Sequence, residues 1–288
     1  MLRKRLIGLL PVRDGVVVQS YRFARHLPVG RPEISAEYLD RWGIDEIILV
    51  DIGASRAGRS IDPALVERVA RRCTVPLAAG GGVRSAAQAG DLLKAGADKI
   101  VINTAAIESP SLVTEVAQAF GEQCALVSID AQRTGFGRVV VRTPQGPARD
   151  GRAPDTWLRR MQEAGAGEFL LQSVDRDGMR DGLDLELIRE MAASARVPLI
   201  VAGGTGHPVH VIAALAIEGV QAVAVGNLLS HAEHSVTLLK SAIRHGGCDV
   251  RLDTAFDYHL QGLAGDGRPM RLDEDTVTAF RFASRRAP

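Results

Sequence analysis

Leu77-Ala78-Ala79-Gly80-Gly81-Gly82 and Ile200-Val201-Ala202-Gly203-Gly204-Thr205-Gly206 share one pattern, in which a short apolar run ends in a cluster of glycines. Glycines at the end of a buried strand leave the backbone amides bare, so these amides can surround a phosphate without obstruction by side chains. Because the chain has two such stretches, they predict a ligand that is phosphorylated at both ends. The alternative is a pair of ordinary tight turns.

The two glycine-rich stretches lie 122 residues apart, measured from Val75 to Val197, and other segments repeat at nearly the same offset. Because chance rarely keeps one offset through three elements, we infer that the chain is a duplicated half-barrel. The offset aligns Asp45-Glu46-Ile47-Ile48-Leu49 with Gly167-Glu168-Phe169-Leu170-Leu171 and, with a slip of one residue, Gly96-Ala97-Asp98-Lys99 with Gly219-Val220-Gln221-Ala222.

Short apolar runs alternate with longer amphipathic stretches, which is typical of βα units around a buried parallel sheet. Eight such units predict an α/β fold, the (β/α)8 or TIM barrel, over residues 1–250 and a C-terminal extension of unassigned role over 251–288. The predicted strands are Leu6–Val12, Glu46–Ile52, Pro76–Gly81, Lys99–Thr104, Ala125–Ala131, Glu168–Val174, Pro198–Gly204 and Ala222–Asn227. The predicted helices include Pro63–Arg72, Ala86–Ala95, Leu185–Ala195 and, in the extension, Asp273–Ser284.

The composition excludes several classes of function. A net charge of +1 over 288 residues gives no indication of nucleic acid or a membrane surface as the main partner. Cys73, Cys124 and Cys248 are widely spaced and form no Cys-x-x-Cys pair, which is typical of reduced thiols and not of a zinc site. The apolar run before Pro11 is too short for a signal peptide or a membrane span. We therefore expect a cytoplasmic protein without a metal or another cofactor.

The C-terminal ends of the strands are the expected place of the site, because the βα loops of such barrels build their sites there. Carboxylates at these ends, Asp51, Asp130, Asp175 and Asp177, are candidate general acids and bases. The half-barrel repeat puts Pro11 at the position that mirrors Asp130. Proline has neither a titratable group nor an amide N–H, so one half of the expected acid–base pair is absent.

The loops of the predicted mouth supply the remaining candidates. Asp14 is a candidate substitute for the missing acid, although a loop holds a side chain less rigidly than a strand end does. The two longest loops, residues 13–32 and 132–154, are predicted to close over the ligand. Each predicted phosphate pocket joins a glycine cluster to the end of the next strand: Gly81, Gly82, Asn103 and Thr104 in the first half, and Gly203, Gly204, Gly226 and Asn227 in the second.

Charged residues also stand at the opposite, N-terminal ends of the strands. Arg5, Glu46, Lys99 and Glu168 alternate in sign around the predicted barrel, so they can pair with one another and form a neutral ring. Such pairing matters because an unpaired charge at this place would be costly to desolvate. The residues alone also allow ordinary solvated charges at strand entrances.

With these residues placed, the chain resembles the HisF family, the cyclase subunit of imidazole glycerol phosphate synthase. The resemblance is colinear from Arg5 through His245, roughly 85 per cent of the chain. It rests on specific strings: Asp45-Glu46 through Asp51-Ile52 with Ala54-Ser55, Gly80-Gly81-Gly82, Gly96-Ala97-Asp98-Lys99 through Ile102-Asn103-Thr104-Ala105-Ala106, Ile129-Asp130-Ala131, and Gly165-Ala166-Gly167-Glu168 through Asp175-Arg176-Asp177-Gly178.

The resemblance implies a heterodimer with a HisH-like glutaminase, whose ammonia enters through the bottom of the barrel and reacts at the top with a bis-phosphorylated small molecule. It implies that the four charges at the strand entrances form an ammonia gate and that Asp98 lies at the glutaminase interface. Asp130 matches the second catalytic aspartate of the family. Asp51, Asn103, Thr104, Asp177 and Gly178 match its top face, which binds substrate.

The top face also departs from the family. The first catalytic aspartate is Pro11, a lysine of the ligand loop is Gln19, and a threonine and a serine on the substrate side are Gln172 and Ala202. Loss of an acid–base group lowers rates by roughly 10²–10⁴-fold. The chain therefore resembles a second HisF group, associated with surface-glycan genes, that supplies ammonia to a sugar amidotransferase. A working histidine-pathway cyclase and a non-catalytic scaffold that binds phosphate ligands are the alternatives.

Overall fold

A computed structural model describes residues 3–135, 137–143, 146–147, 151–230, 234–252 and 270. The predicted helix Asp273–Ser284 and nearly all of the predicted C-terminal extension lie outside these residues. The strands are β1 (Arg5–Arg13), β2 (Val16–Tyr21), β3 (Arg25–Gly30), β4 (Glu46–Asp51), β5 (Leu77–Gly80), β6 (Lys99–Ile102), β7 (Ala125–Arg133), β8 (Val139–Thr143), β9 (Gly146–Pro147), β10 (Glu168–Ser173), β11 (Leu199–Ala202) and β12 (Val220–Val225).

Helices alternate with these strands. The α-helices are α1 (Pro32–Arg41), α2 (Pro63–Ala70), α3 (Ala86–Lys94), α4 (Thr104–Glu108), α5 (Ser111–Phe120), α6 (Pro154–Glu163), α7 (Leu185–Ser194), α8 (Pro208–Leu215) and α9 (Ser235–His245). Two short 3-10 helices span Glu122–Cys124 and Asn227–Ser230. No helix among the described residues is long and apolar enough to cross a lipid bilayer.

Eight parallel strands close into a barrel in the order β1, β4, β5, β6, β7, β10, β11 and β12, because β12 pairs with β1. The predicted (β/α)8 barrel is thus confirmed. Its interior is an apolar cluster of one or two residues per strand. A second apolar cluster lies between the outer faces of the strands and the surrounding helices.

The inferred repeat is visible in the element boundaries. Strand β4 and strand β10 lie 122 residues apart at both ends, as do β5 and β11. The turns after β5 and β11 also pack alike. A Cβ on Gly81 would lie 2.4 Å from the carbonyl oxygen of Asp51, and a Cβ on Gly203 would lie 2.6 Å from that of Ser173. The glycine pattern therefore has a packing cause in both halves, whether or not a phosphate binds.

Both long loops of the sequence prediction contain antiparallel strand pairs in their described residues. Strand β1 runs past the barrel rim, and Asp14 and Gly15, both with positive φ, turn it back into β2. An Asp-Gly pair between two valine-containing runs, here ending at Arg13 and beginning at Val16, is a strong hairpin signal that the loop prediction overlooked. In the second half of the barrel, β7 pairs with β8 in the same way. The loop prediction was wrong here because the chain satisfies its backbone groups by strand pairing above the rim.

Candidate functional site

The top of the barrel holds a cavity of about 460 Å³, within the usual range for small-molecule sites. Its floor is the apolar top of the barrel, where Leu9, Val50 and Val101 lie. The hairpin β2–β3, the loop after β4 and the turn after β5 build its wall. Among the residues that the structure describes, no group of three or more His, Cys, Asp or Glu side chains could hold a metal ion.

Asp130, on β7, lines this cavity. Asn103 Nδ2 donates a hydrogen bond of 2.8 Å to Asp130 Oδ2, and Ser128 Oγ donates one of 3.4 Å to Oδ1. Burial raises the pKa of the Asp130 carboxyl to about 6, although these hydrogen bonds and the charge of Arg142 favour its ionised form; the charge of Asp177 adds to the rise. A carboxyl with this pKa can take up and release a proton near neutral pH.

Pro11 occupies the position that is equivalent to Asp130 in the half-barrel repeat. Pro11 is in register with Val50 of β4, and Asp130 is in register with Gln172 of β10, the position 122 residues after Val50. Both Pro11 and Asp130 line the cavity. Asp14 also lines it, but its side chain is 87% exposed and lies 3.8 Å from Arg13. The loop candidate therefore lacks the burial that sets the pKa of Asp130.

The other strand-end carboxylates hold loops in place. Asp51 Oδ1 accepts the backbone N–H groups of Gly53 and Ala54, and its Oδ2 lies 2.6 Å from Arg59 Nη1. Asp175 accepts the backbone N–H of Arg133 at 2.7 Å. Both carboxylate oxygens of Asp51 thus bond with the loop after β4. Asp51 therefore stabilises this loop, in addition to any contact with a ligand.

Asp177 holds the hairpin β2–β3. Its Oδ2 accepts a hydrogen bond of 2.7 Å from Ser20 Oγ and one of 3.2 Å from the Phe23 N–H. Burial raises the pKa of Asp177, against the effect of these bonds and of His26. The adjacent Gly178 lies under the same hairpin, since a Cβ there would be 2.3 Å from the Ser20 carbonyl oxygen.

Only one of the two predicted phosphate pockets faces the cavity. We call Gly81, Gly82, Asn103 and Thr104 the first cradle and Gly203, Gly204, Gly226 and Asn227 the second cradle. All four residues of the first cradle line the cavity, and none of the second does. The sequence pattern could not show this difference, because the backbone of both halves is the same.

The hairpin β2–β3 accounts for this asymmetry. Asn227 uses its side-chain amide on the hairpin: its Oδ1 accepts the Ser20 N–H at 3.0 Å, and its Nδ2 donates to the Ser20 carbonyl at 2.8 Å. Gly226 lies beside a separate groove between the hairpin and α1, together with Gln19. Gln19 accepts a hydrogen bond from the Tyr21 hydroxyl and points away from the mouth, whereas Ser20 faces it.

Five basic side chains of the mouth were not among the predicted site residues. Each of them lies at the C-terminal end of a barrel strand, just after it, or on a hairpin above it. This position could have identified them from the sequence. They are Arg13, His26, Arg56, Arg84 and Arg142. Arg142 Nη1 donates to Gln132 Oε1 at 2.7 Å, which keeps its charge near Asp130.

At the bottom of the barrel the four predicted charges form a closed ring. Arg5 lies 2.5 Å from Glu46 and also pairs with Glu168, while Lys99 lies 2.8 Å from Glu46 and 2.6 Å from Glu168. The side chains of the two glutamates are 3% and 6% exposed, whereas those of Arg5 and Lys99 are 27% and 19% exposed. Each buried carboxylate is therefore paired with two cations that reach the solvent.

Asp98 lies beside this ring, on the loop before β6. Its Oδ2 accepts the backbone N–H of Leu77 at 2.8 Å, and the residue is otherwise exposed at the bottom surface. Above the ring, the barrel is apolar up to the mouth. Several of its interior side chains are alanines: Ala78, Ala202, Ala222 and Ala224.

Comparison with known proteins agrees with this architecture. A family model described as histidine biosynthesis protein matches residues 5–235. A protein of Vibrio vulnificus (strain YJ016), described as "Putative imidazole glycerol phosphate synthase subunit hisF2", is 39% identical over 274 residues, which cover 93% of this chain and 98% of that protein. The chain therefore belongs to the histidine biosynthesis protein family and is a HisF-type barrel, the type of the cyclase subunit of imidazole glycerol phosphate synthase.

Proposed function

We propose that this barrel receives ammonia from a HisH-like glutaminase at its bottom face and passes it to an acceptor at the top, in the amidation of a surface sugar. In this proposal the chain belongs to the surface-glycan group of HisF relatives and its cyclase site is degenerate at Pro11. The observation that carries the proposal is the contrast between a complete ring of Arg5, Glu46, Lys99 and Glu168 and a mouth in which Asp130 has no acid opposite it.

The ring and the interior above it suit ammonia transfer. Neutral ammonia is small and loses few hydrogen bonds in an apolar interior, whereas the ammonium ion would have to give up its hydration. The ring pairs its own charges, so it has no net charge with which to hold an ion at the entrance. We propose that Arg5, Glu46, Lys99 and Glu168 act as the ammonia gate and that Asp98 contacts the glutaminase.

The test of this proposal is glutamine-dependent transfer in a reconstituted complex with the glutaminase from the same cell. Lys99→Ala is expected to leave glutamine hydrolysis intact while less of the released ammonia reaches product. Asp98→Asn is expected to weaken association, because it removes the charge but keeps an oxygen for the Leu77 N–H. Failure to bind any glutaminase, or unchanged transfer in both variants, would show that the charges are structural.

A second candidate function is the cyclase reaction itself, and Asp130 favours it. Its carboxyl has a pKa of about 6 and is held by Asn103, as expected of a general acid or base. In this interpretation Asp14 or a water molecule replaces the missing acid. Turnover of the bis-phosphorylated cyclase substrate with ammonium salt separates the two functions, because only the cyclase needs that reaction at an ordinary rate.

A further inference from the structure

We propose that the mouth binds a ligand with two adjacent anionic groups, a diphosphate, between the first cradle and an arginine cluster formed by Arg13, Arg56 and Arg84. A diphosphate differs from a ligand that is phosphorylated at opposite ends. The inference rests on the proposed function only in taking this cavity as the acceptor site.

The three arginines and His26 stand on neighbouring segments, namely the end of β1, the hairpin β2–β3, the loop after β4 and the turn after β5. Arg13 Nη1 lies 3.3 Å from His26 Nδ1, which joins the end of β1 to the hairpin β2–β3. Arg84 Nη2 donates a hydrogen bond of 3.1 Å to the carbonyl of Ser55, the residue before Arg56. The three arginines and His26 all line the cavity. Burial and the charges of Arg13 and Arg56 lower the pKa of His26, against an opposite effect of Asp177.

The cluster lies beside the first cradle and not across the mouth from it. Strands β1, β4, β5 and β6 are consecutive neighbours in the barrel, and the three arginines and the first cradle stand at or just beyond their ends. The loop after β4 packs directly on the glycine turn, since a Cβ on Gly82 would lie 1.9 Å from the Arg59 carbonyl oxygen. Two anionic groups bound by these elements must therefore be near each other.

The second cradle does not line this cavity. The side-chain amide of Asn227 is engaged with the backbone of Ser20 on the hairpin. The anion-binding groups of the described mouth are thus concentrated on one side. Of the acids that line the mouth, Asp51 is paired with Arg59, and Asp177 accepts hydrogen bonds from Ser20 and Phe23. The exposed Asp14 lies 3.8 Å from Arg13 and offsets part of its charge.

The ligand class follows from this arrangement. Arginine forks bind phosphate oxygens in a bidentate way, and the bare amides of a glycine turn suit a second phosphoryl group. A pyrophosphate unit presents two such groups a short distance apart. The apolar floor beneath, formed by Leu9, Val50 and Val101, offers room for an uncharged part of the ligand.

Titration calorimetry of the full chain with simple anions tests the proposal without glutaminase or ammonia. The probes are inorganic pyrophosphate, inorganic phosphate and fructose 1,6-bisphosphate, at one fixed ionic strength because salt screens these contacts. Pyrophosphate is expected to bind at least about tenfold more tightly than either of the others, since it alone reaches both anion sites at once. Equal affinities, or tighter binding of fructose 1,6-bisphosphate, would overturn the proposal.

Arg13→Gln and Arg56→Gln are expected to lower pyrophosphate affinity by about tenfold each while leaving phosphate binding at the first cradle nearly unchanged. Arg25→Gln is the matched control, because Arg25 belongs to the same hairpin but is exposed and does not line the cavity. The two test substitutions lie on different segments, so misfolding of one, seen by circular dichroism, leaves the other informative. Unchanged pyrophosphate affinity in the folded variants would contradict the inference.

The outcomes also separate this inference from the proposed function. If pyrophosphate binds as expected but the glutaminase complex transfers no ammonia, the diphosphate site stands and the conduit proposal fails. If transfer occurs but pyrophosphate binds no better than phosphate, the conduit stands and the diphosphate site is wrong.

Discussion

The two ends of the barrel differ in how their charged side chains are paired. At the bottom, Arg5 and Lys99 each pair with both Glu46 and Glu168, so the ring is complete and its charges satisfy one another. At the top, the backbone of the two halves still matches, but the side chains do not. Asp130 faces the cavity from one half and Pro11 from the other.

The difference shows where a duplicated fold can diverge. Removing one charge at the bottom leaves the others uncompensated in a buried place, so the ring tolerates little change. Charges at the top instead bond with loops and hairpins, as Asp177 bonds with Ser20, and each can change with its own loop. We therefore expect the bottom to retain the function common to HisF-type barrels and the top to hold the specificity of this chain.

The largest expected effect is the loss of cyclase chemistry at the top. With high ammonium and the bis-phosphorylated substrate, turnover is expected to be roughly 10²–10⁴-fold below that of an ordinary cyclase, because Pro11 removes one proton-transfer group. A continuous assay of imidazole product formation measures it. A rate within about tenfold of an ordinary cyclase would contradict the degenerate site.

Pro11→Asp is the companion variant. It restores a carboxyl opposite Asp130 and should raise any residual turnover. The gain is expected to be small, because Gln172 and Ala202 remain and the loss of proline also changes the unfolded chain. No gain in a folded variant would indicate that the other substitutions decide the activity.

The next effect concerns the bottom ring. Lys99→Ala is expected to lower the free energy of unfolding by about 2 kcal/mol, less than for a fully buried pair, because Lys99 reaches solvent and Arg5 still pairs with both glutamates. Urea denaturation measures this change. Lys94→Ala is the control, since Lys94 is 83% exposed and lies 3.8 Å from Asp91, and it should change stability by less than about 0.5 kcal/mol. Equal effects of both substitutions would show that the ring contributes no special stability.

How much of this structure the sequence predicts depends on whether the interactions are local in sequence or join distant residues. Apolar periodicity and the 122-residue repeat predicted all eight barrel strands, because burial of a parallel sheet leaves a local pattern. The charge ring could be proposed from the sequence, because its members stand at the starts of strands and alternate in sign around the barrel. The hairpin after β1 was not predicted, although Asp14-Gly15 is a turn signal in the sequence. The asymmetry of the mouth was not predictable, because it depends on Asn227 meeting Ser20 from 207 residues away.

The third prediction uses the pKa of Asp130. Because the folded-state pKa is about 6 and the unfolded value is near 3.8, the folded state binds more protons between these values, and stability falls as pH rises through this window. The burial penalty is fully present above pH 6 and absent below pH 4. Asp130→Asn is therefore expected to be about 2 kcal/mol more stable than the parent protein at pH 7 and nearly equal to it at pH 4.

Thermal or urea unfolding at both pH values checks this prediction. The amide oxygen that Asp130→Asn introduces can still accept the hydrogen bond from Asn103, so the comparison isolates the charge. Asp14→Asn is the control, because Asp14 is exposed and its substitution should change stability little at either pH. A stability difference for Asp130→Asn that does not depend on pH would contradict the assignment of a buried carboxyl with a raised pKa.

The smallest expected effect tests what makes the top asymmetric. Asn227→Ala removes two hydrogen bonds to the backbone of Ser20, so the hairpin should open more often while the barrel stays folded. A loss of about 1 kcal/mol in local stability corresponds to faster exchange of the Ser20 amide hydrogen, by about fivefold. Gln19→Ala is the matched control, because Gln19 lies on the same hairpin and its loss leaves the bonds of Ser20 to Asn227 and Asp177 in place. If exchange at residue 20 is unchanged in Asn227→Ala, the Asn227 side chain does not hold the hairpin over the second cradle, and the one-sided mouth needs another cause.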